Sequence, residues 1–279
     1  MKHFVINNFL NEENCKNLIK DVEQLISKDN FYKYHGNRND LASSSLAYND
    51  LLLGSENWKN LANKLCSIEF FKECCNKLEL DSNKFCTKNY FKLTSPTPNE
   101  KKYKIISNLK ANMIPNRSLI KFLIYRIYRD LYRKIKFSKI FNINKKPLEL
   151  LYNYAKAGNG YWREIHRDSD NRLIVFILYF NELSEEGEGG TLDFYKLVKK
   201  DKNLATPAYS SCEKIKSIKP EVGKLVVFRN GEDSYHAVST MKNHNNFRHF
   251  IYGSFTLLSE RNPYIKNKSR LSTDFHNYE

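Results

Sequence analysis

The sequence predicts an α+β protein with a mainly β core, a sandwich or barrel preceded by packing helices. Three observations carry this reading. From residue 148 onward, short runs rich in β-branched and aromatic residues alternate with Gly/Asn/Asp turns, the mark of many short strands. Before residue 94, apolar residues recur at helical spacing. Between the two, residues 101–146 hold 14 Lys/Arg against one acid, Asp130. The chain therefore divides into an N-terminal strand and helices packing on the core (1–93), a basic helical insert (94–147), the β core (148–258) and a C-terminal tail (259–279).

Residues 3–10 read as a short strand that ends at Asn11, a helix N-cap, with Glu12 and Glu13 suited to the positive end of the helix dipole. Cys15, Leu18, Ile19, Val22, Leu25 and Ile26 then mark an amphipathic helix over 12–27. The polar stretch from Asp29 to Ser45 breaks the pattern. Trp58, Leu61, Ala62, Leu65, Phe71, Cys74, Cys75 and Leu78 mark a second helix, and both apolar stripes read as core. A breaker cluster, Thr94 to Asn99, precedes the basic segment. There Ile120, Leu123, Ile124, Ile127, Leu131 and Ile135 share one helical face, and Arg126, Arg129, Arg133 and Lys136 cover the other. Such a helix either docks its apolar face and solvates its charges, or meets an anionic membrane or acidic ligand.

The core strands follow at 149–156, 161–168, 172–180, 191–195, 224–228 and 247–257. Residues 196–217 read as loop. No Gly-rich phosphate loop opens a helix, so mononucleotide and dinucleotide folds are not supported.

At 279 residues, 41% hydrophobic and 14% aromatic, the chain can bury a large core. No apolar run reaches the roughly 18 residues a transmembrane helix needs. The N-terminus turns polar before a signal region forms, so a cytoplasmic protein is expected. Six cysteines lack Cys-x-x-Cys spacing, consistent with reduced structural thiols and against a zinc knuckle. Of the net charge of +15, the 101–146 segment carries +13, so an acidic or membrane-associated partner is a matter for that segment alone.

The chemistry centres on His166-Arg167-Asp168. In a strand, residues two apart project to one face, so His166 and Asp168 project together. They make two thirds of the two-His-one-carboxylate set that holds non-haem Fe(II) with positions open. His236, after strand 224–228 and a polar turn, offers the third ligand. Arg248 opens a buried strand, where a guanidinium needs an anionic partner and fits a carboxylate bidentately.

With these residues in view, 148–258 resembles the 2-oxoglutarate- and Fe(II)-dependent dioxygenases, particularly the prolyl 4-hydroxylase-like branch. The matching order is Tyr154, Gly158-Asn159-Gly160-Tyr161, His166-Arg167-Asp168, Leu178-Tyr179-Phe180-Asn181, Gly189-Gly190-Thr191-Leu192-Asp193-Phe194, Gly223 to Phe228, His236-Ala237-Val238 and Arg248. Residues 4–10 and the helix after them resemble that branch's N-terminal entry. Two departures stand out. Arg248 follows His236 by 12 residues, so the turn 239–246 must bulge, and two extra residues separate Tyr154 from His166.

The resemblance implies a double-stranded β-helix (jelly roll, cupin-like). It implies Fe(II) on His166, Asp168 and His236, with 2-oxoglutarate and O2 as co-substrates and ascorbate as a compatible reductant. Arg248 and Tyr179 would take the distal carboxylate of 2-oxoglutarate, Tyr154 would line the pocket and Leu192 would pack beside the co-substrate. His244, His249 and Asp170 are alternative ligands that fit the pattern less well. The implied reaction hydroxylates an unactivated C–H of a protein side chain or small molecule and releases succinate and CO2. Asp168 favours hydroxylation over halogenation, and Ser254, where base-demethylating relatives carry a second arginine, disfavours nucleic-acid base repair. The competing readings are a zinc protein reusing the His/Asp/His set, and a lipid- or polyanion-binding scaffold built on the basic segment. The primary substrate and the oligomeric state leave no signal in the sequence.

Overall fold

The structure, a computed structural model, describes residues 1–33, 36–43, 45–86, 146–257 and 262–265. The basic insert lies outside the described residues except where Lys146 and Pro147 begin a strand, as does the tail beyond 265.

Polar caps decide where the helices begin. Strand β1 (His3–Ile6) leads to Asn11, whose side chain accepts from the backbone N–H of Asn14 at 2.8 Å and starts α1 (Glu12–Leu25). After a short hairpin, β2 (Tyr32–Lys33) and β3 (Arg38–Ala42), three serines start three helices. Ser45 caps α2 (Leu46–Gly54), Ser55 caps α3 (Glu56–Leu65) and Ser67 caps α4 (Ile68–Lys77), each accepting a backbone N–H three residues on. The single helix expected across 58–78 is thus two, because Ser67 competes with the helix interior and restarts it. The polar stretch 29–45 likewise holds β2 and β3, whose short polar strands carry no apolar alternation to announce them.

Strand β4 (Phe85–Cys86) pairs in parallel with the start of β5 (Lys146–Ala157). The rest is β6 (Arg163–His166), β7 (Arg172–Tyr179), β8 (Leu192–Leu197), β9 (Cys212–Ile218), β10 (Leu225–Arg229), β11 (Tyr235–Val238) and β12 (Arg248–Leu257). Residues expected to loop before 218 contain β9, an exposed edge strand whose side chains are mostly solvated and so lack a core pattern.

These strands form two sheets. The large one has the order β1-β10-β7-β12-β5-β3-β2, with β4 alongside β5; the small one has the order β6-β11-β8-β9. The pairs within each order are antiparallel, giving the double-stranded β-helix, or jelly roll. Between the sheets lie Val175, Ile177, Tyr179, Val226, Phe228 and Phe250 from one side and Leu192, Phe194 and Val238 from the other. The opposite face of the large sheet buries Phe176, Leu178, Phe180 and Ile251 against the helices. Hence β7 is apolar on both faces, as its unbroken apolar run requires. Trp58 is the keystone of the helix side. Its Nε1–H donates to Leu18 O at 2.8 Å, and its ring meets Tyr48, Tyr154 and Phe180 edge-on. The N-terminal residues also extend the sheet itself, since β1 pairs with β10 and β3 with β5.

Candidate metal centre

His166 ends β6 and His236 sits in β11, and the two are direct partners in the antiparallel ladder. Asp168 follows β6 by two residues, in a turn held by two asparagines. Asn230 donates to Ser169 O and Arg172 O, and Asn262 donates to Arg172 O at 2.6 Å and Asn230 O at 2.8 Å. One ligand atom from each of His166, Asp168 and His236 lies within 4.8 Å of the others. His236 Nε2 is 3.6 Å from Asp168 Oδ2.

The protonation states suit a cation. Each Nδ1 faces a backbone carbonyl, Glu164 O at 2.8 Å for His166 and Ser234 O at 3.0 Å for His236. A carbonyl only accepts, so Nδ1 carries the proton and Nε2 keeps its lone pair. Burial pushes both imidazoles below their usual range, reinforced at His166 by His236 and opposed at His236 by Asp168. Burial would raise the Asp168 carboxyl, but Arg172, His236 and His166 outweigh it and hold the group well below the usual carboxylate range. Two neutral imidazoles and one carboxylate form the set a divalent ion requires. Asp168 Oδ2 is buried with no hydrogen-bond partner among the described residues. A buried bare carboxylate oxygen is costly unless something positive fills the place before it. The three residues therefore fit a divalent cation.

Arg248 lies across the interior, its side chain wholly buried. It donates to Gly190 O at 3.0 Å and to Tyr179 Oη at 3.1 Å, while its Nε has no partner among the described residues. Among the described residues no carboxylate pairs with it. Burial raises the Tyr179 pKa, against the pull of Arg248, so the phenol keeps its proton and can donate it to an anion. Leu192 is in the same interior cluster as Tyr179 and Phe250.

Tyr154 is elsewhere. It belongs to the helix-side core with Trp58 and Phe180, and its hydroxyl meets His249 Nδ1 at 2.6 Å. Along β5 it is Ala155 and Ala157 that face the interior, and the alternation of a strand puts Tyr154 on the other face. The pocket-lining role expected of it is corrected accordingly. His249 points the same way. His244 is bound in a turn to Glu188 O at 3.0 Å and Ser184 Oγ at 3.2 Å, and Asp170 pairs with Arg167 at 3.3 Å. None of the three joins the cluster.

Sequence reasoning missed Tyr252 and Arg172, both of which bind Asp168 Oδ1, at 2.7 and 2.6 Å. Strand parity contained the signal for Tyr252, which shares a face of β12 with Arg248. It also missed Arg38 and Asp40, a buried bidentate pair at 2.6 and 2.7 Å that places Arg38 Nη1 3.2 Å from Tyr161 Oη.

Residues 151–254 match the family model described as the 2OG-Fe(II) oxygenase superfamily. The chain carries a 2OG-Fe(II) oxygenase domain. The match spans β5 to β12 and so contains every residue of the cluster as well as Arg248. No curated protein matches the chain. Among solved structures, a prolyl 4-hydroxylase from Phytophthora capsici is 11% identical with a TM-score of 0.51, over 94% of this chain and 61% of that one. A Pseudomonas putida prolyl-4-hydroxylase is 12% identical with a TM-score of 0.44, over 91% of this chain and 92% of that one. The chain thus spans under two thirds of the Phytophthora structure, and the likeness to it is one of fold. An oxygenase domain of this superfamily implies Fe(II), 2-oxoglutarate and O2. No helix among the described residues is long and apolar enough to cross a membrane.

Proposed function

We propose that this protein is an Fe(II)- and 2-oxoglutarate-dependent dioxygenase that hydroxylates an unactivated C–H of a protein side chain or small molecule. The observation that carries the reading is the pairing of two opposite needs beside one inter-sheet core. The cluster of His166, Asp168 and His236 has a bare carboxylate oxygen that calls for a cation, and Arg248 is a buried cation with no acid beside it among the described residues. A small dianion that chelates a metal through one end and ends in a carboxylate meets both.

His166 and His236 would offer Nε2 and Asp168 would offer Oδ2. Arg248, with the Tyr179 hydroxyl, would hold the distal carboxylate of 2-oxoglutarate, and Leu192 with Phe250 would exclude water beside it. Fe(II) held by these three side chains would supply the redox chemistry that couples decarboxylation of 2-oxoglutarate to oxidation of the substrate C–H. A zinc-holding protein or a basic scaffold would leave the Arg248 and Tyr179 pair without a purpose.

The test is succinate formation from 2-oxoglutarate by the purified chain with Fe(II) and O2, followed by NMR. Turnover that needs both and vanishes in His236→Ala supports the reading. Binding of Fe(II) without any conversion of 2-oxoglutarate, with or without candidate peptides and small molecules, would sink it.

A further inference from the structure

Tyr252 occupies the inner face of β12, and holding a metal and 2-oxoglutarate does not by itself require a phenol there. Its hydroxyl donates to Asp168 Oδ1 at 2.7 Å, and Arg172 Nη1 reaches the same oxygen at 2.6 Å. Arg172 also bonds the Tyr252 hydroxyl. Asp168 Oδ2 receives no hydrogen bond among the described residues and faces His236 Nε2. The two oxygens of one carboxylate are therefore in opposite states, one saturated from the sheet wall and the other bare toward the imidazoles.

We propose that Tyr252 is a positioning residue that fixes which oxygen of Asp168 binds the metal and keeps the carboxylate to a one-oxygen grip; this rests on the metal-centre reading above. A carboxylate beside a cation can turn about its last torsion and offer either oxygen or both. Gripping through both would consume a position that 2-oxoglutarate or O2 needs. Two donors on Oδ1 occupy its lone pairs and make it the poorer ligand. Of the two, Arg172 opens β7 only four residues after Asp168 and so holds the carboxylate from its own stretch of chain. Tyr252 comes from another strand, in register with Ile177 of β7, so it ties the ligand to the sheet. Its ring is itself fixed, with the Arg172 guanidinium 5.2 Å and the Arg38 guanidinium 6.0 Å from its centre. Arg38 is locked in turn by Asp40.

The experiment measures Mn(II) affinity by calorimetry and the d–d absorption of the Co(II) form, on the full chain without 2-oxoglutarate or substrate. Tyr252→Phe should bind Mn(II) about tenfold or more weakly, the usual effect of losing a group that orients a ligand. Its Co(II) bands should shift in position and intensity as the carboxylate takes up a second contact. The apo protein's melting temperature should stay near wild type, and Tyr252→Met tests the same point should the Phe variant fail to fold. Wild-type affinity together with an unchanged Co(II) spectrum in a folded variant overturns the inference alone. A wild-type chain that binds neither ion overturns the metal-centre reading and this inference with it.

Discussion

His166 and His236 face each other across neighbouring antiparallel strands, their ring centroids 4.3 Å apart and inclined at 52°. Residues 70 apart in sequence are thereby fixed by one ladder, and Phe228 packs against His236 with ring centroids 4.8 Å apart. A pair held by backbone pairing needs little reorganisation to accept an ion. Removing either imidazole should therefore abolish metal binding without unfolding the sheet. His236→Ala is expected to lose detectable Mn(II) binding in calorimetry and at least 100-fold in succinate formation, with the apo melting temperature within a few degrees of wild type.

The Arg248 and Tyr179 pair yields a different signature. Arg248→Gln should raise the KM for 2-oxoglutarate by about 100-fold or more, since truncating a buried charge partner costs roughly 2–5 kcal/mol. Tyr179→Phe removes one donor and should raise it by about fivefold, near 1 kcal/mol. Neither change should alter Mn(II) affinity measured without co-substrate. Steady-state kinetics set beside metal titrations separate the two, and equal losses in both would mean that Arg248 supports the fold and not the ligand.

How far the sequence reached is clearest at β5 and β12. The His-x-Asp pair is a short-range pattern at the end of β6, and the later histidine meets it across the ladder with β11. Tyr154 failed because β5 has apolar core on both faces, so its pattern does not say which face looks into the site, and neighbouring residues point to opposite sides. Ser67 shows the same limit in the helices, where a cap inside a periodic stretch splits what periodicity alone would join. Arg38 and Asp40 were illegible for another reason. Their partners Tyr161 and Asn153 lie more than 100 residues away, and no local spacing encodes that meeting.

Tyr154 and His249 give a pH prediction. Burial, helped by the Lys156 charge, pushes the His249 imidazole down to about 4, and its Nδ1 meets the Tyr154 hydroxyl. The folded-state value lies below the unfolded one, so between about pH 6.5 and 4 the unfolded chain binds protons that the folded chain refuses. Stability should be full above that window and fall as pH drops through it, by about 3 kcal/mol at pH 4 from this residue. His166 and His236, lowered as well, act in the same direction. Urea unfolding at pH 7 and pH 5 reads the slope. His249→Gln, which keeps an acceptor for Tyr154, should flatten it while leaving the KM for 2-oxoglutarate unchanged.

Gly253 gives the last prediction, since it lies between the site and the helix-side core. It follows Tyr252 on β12 and so faces the opposite side of the sheet, where it sits across from Phe176 of β7. A Cβ added there would overlap the Phe176 ring. That ring cannot retreat, because Phe70 and Phe255 pack on it with centroids 5.7 and 6.1 Å away. Interiors this dense answer an added methyl with backbone shifts that cost about 1–3 kcal/mol. Gly253→Ala should accordingly lower the melting temperature by several degrees. Because the strand that must shift also carries Tyr252 and Arg248, the same variant should weaken Mn(II) and 2-oxoglutarate binding together. A melting temperature unchanged from wild type would show that the sheet absorbs the methyl group without strain.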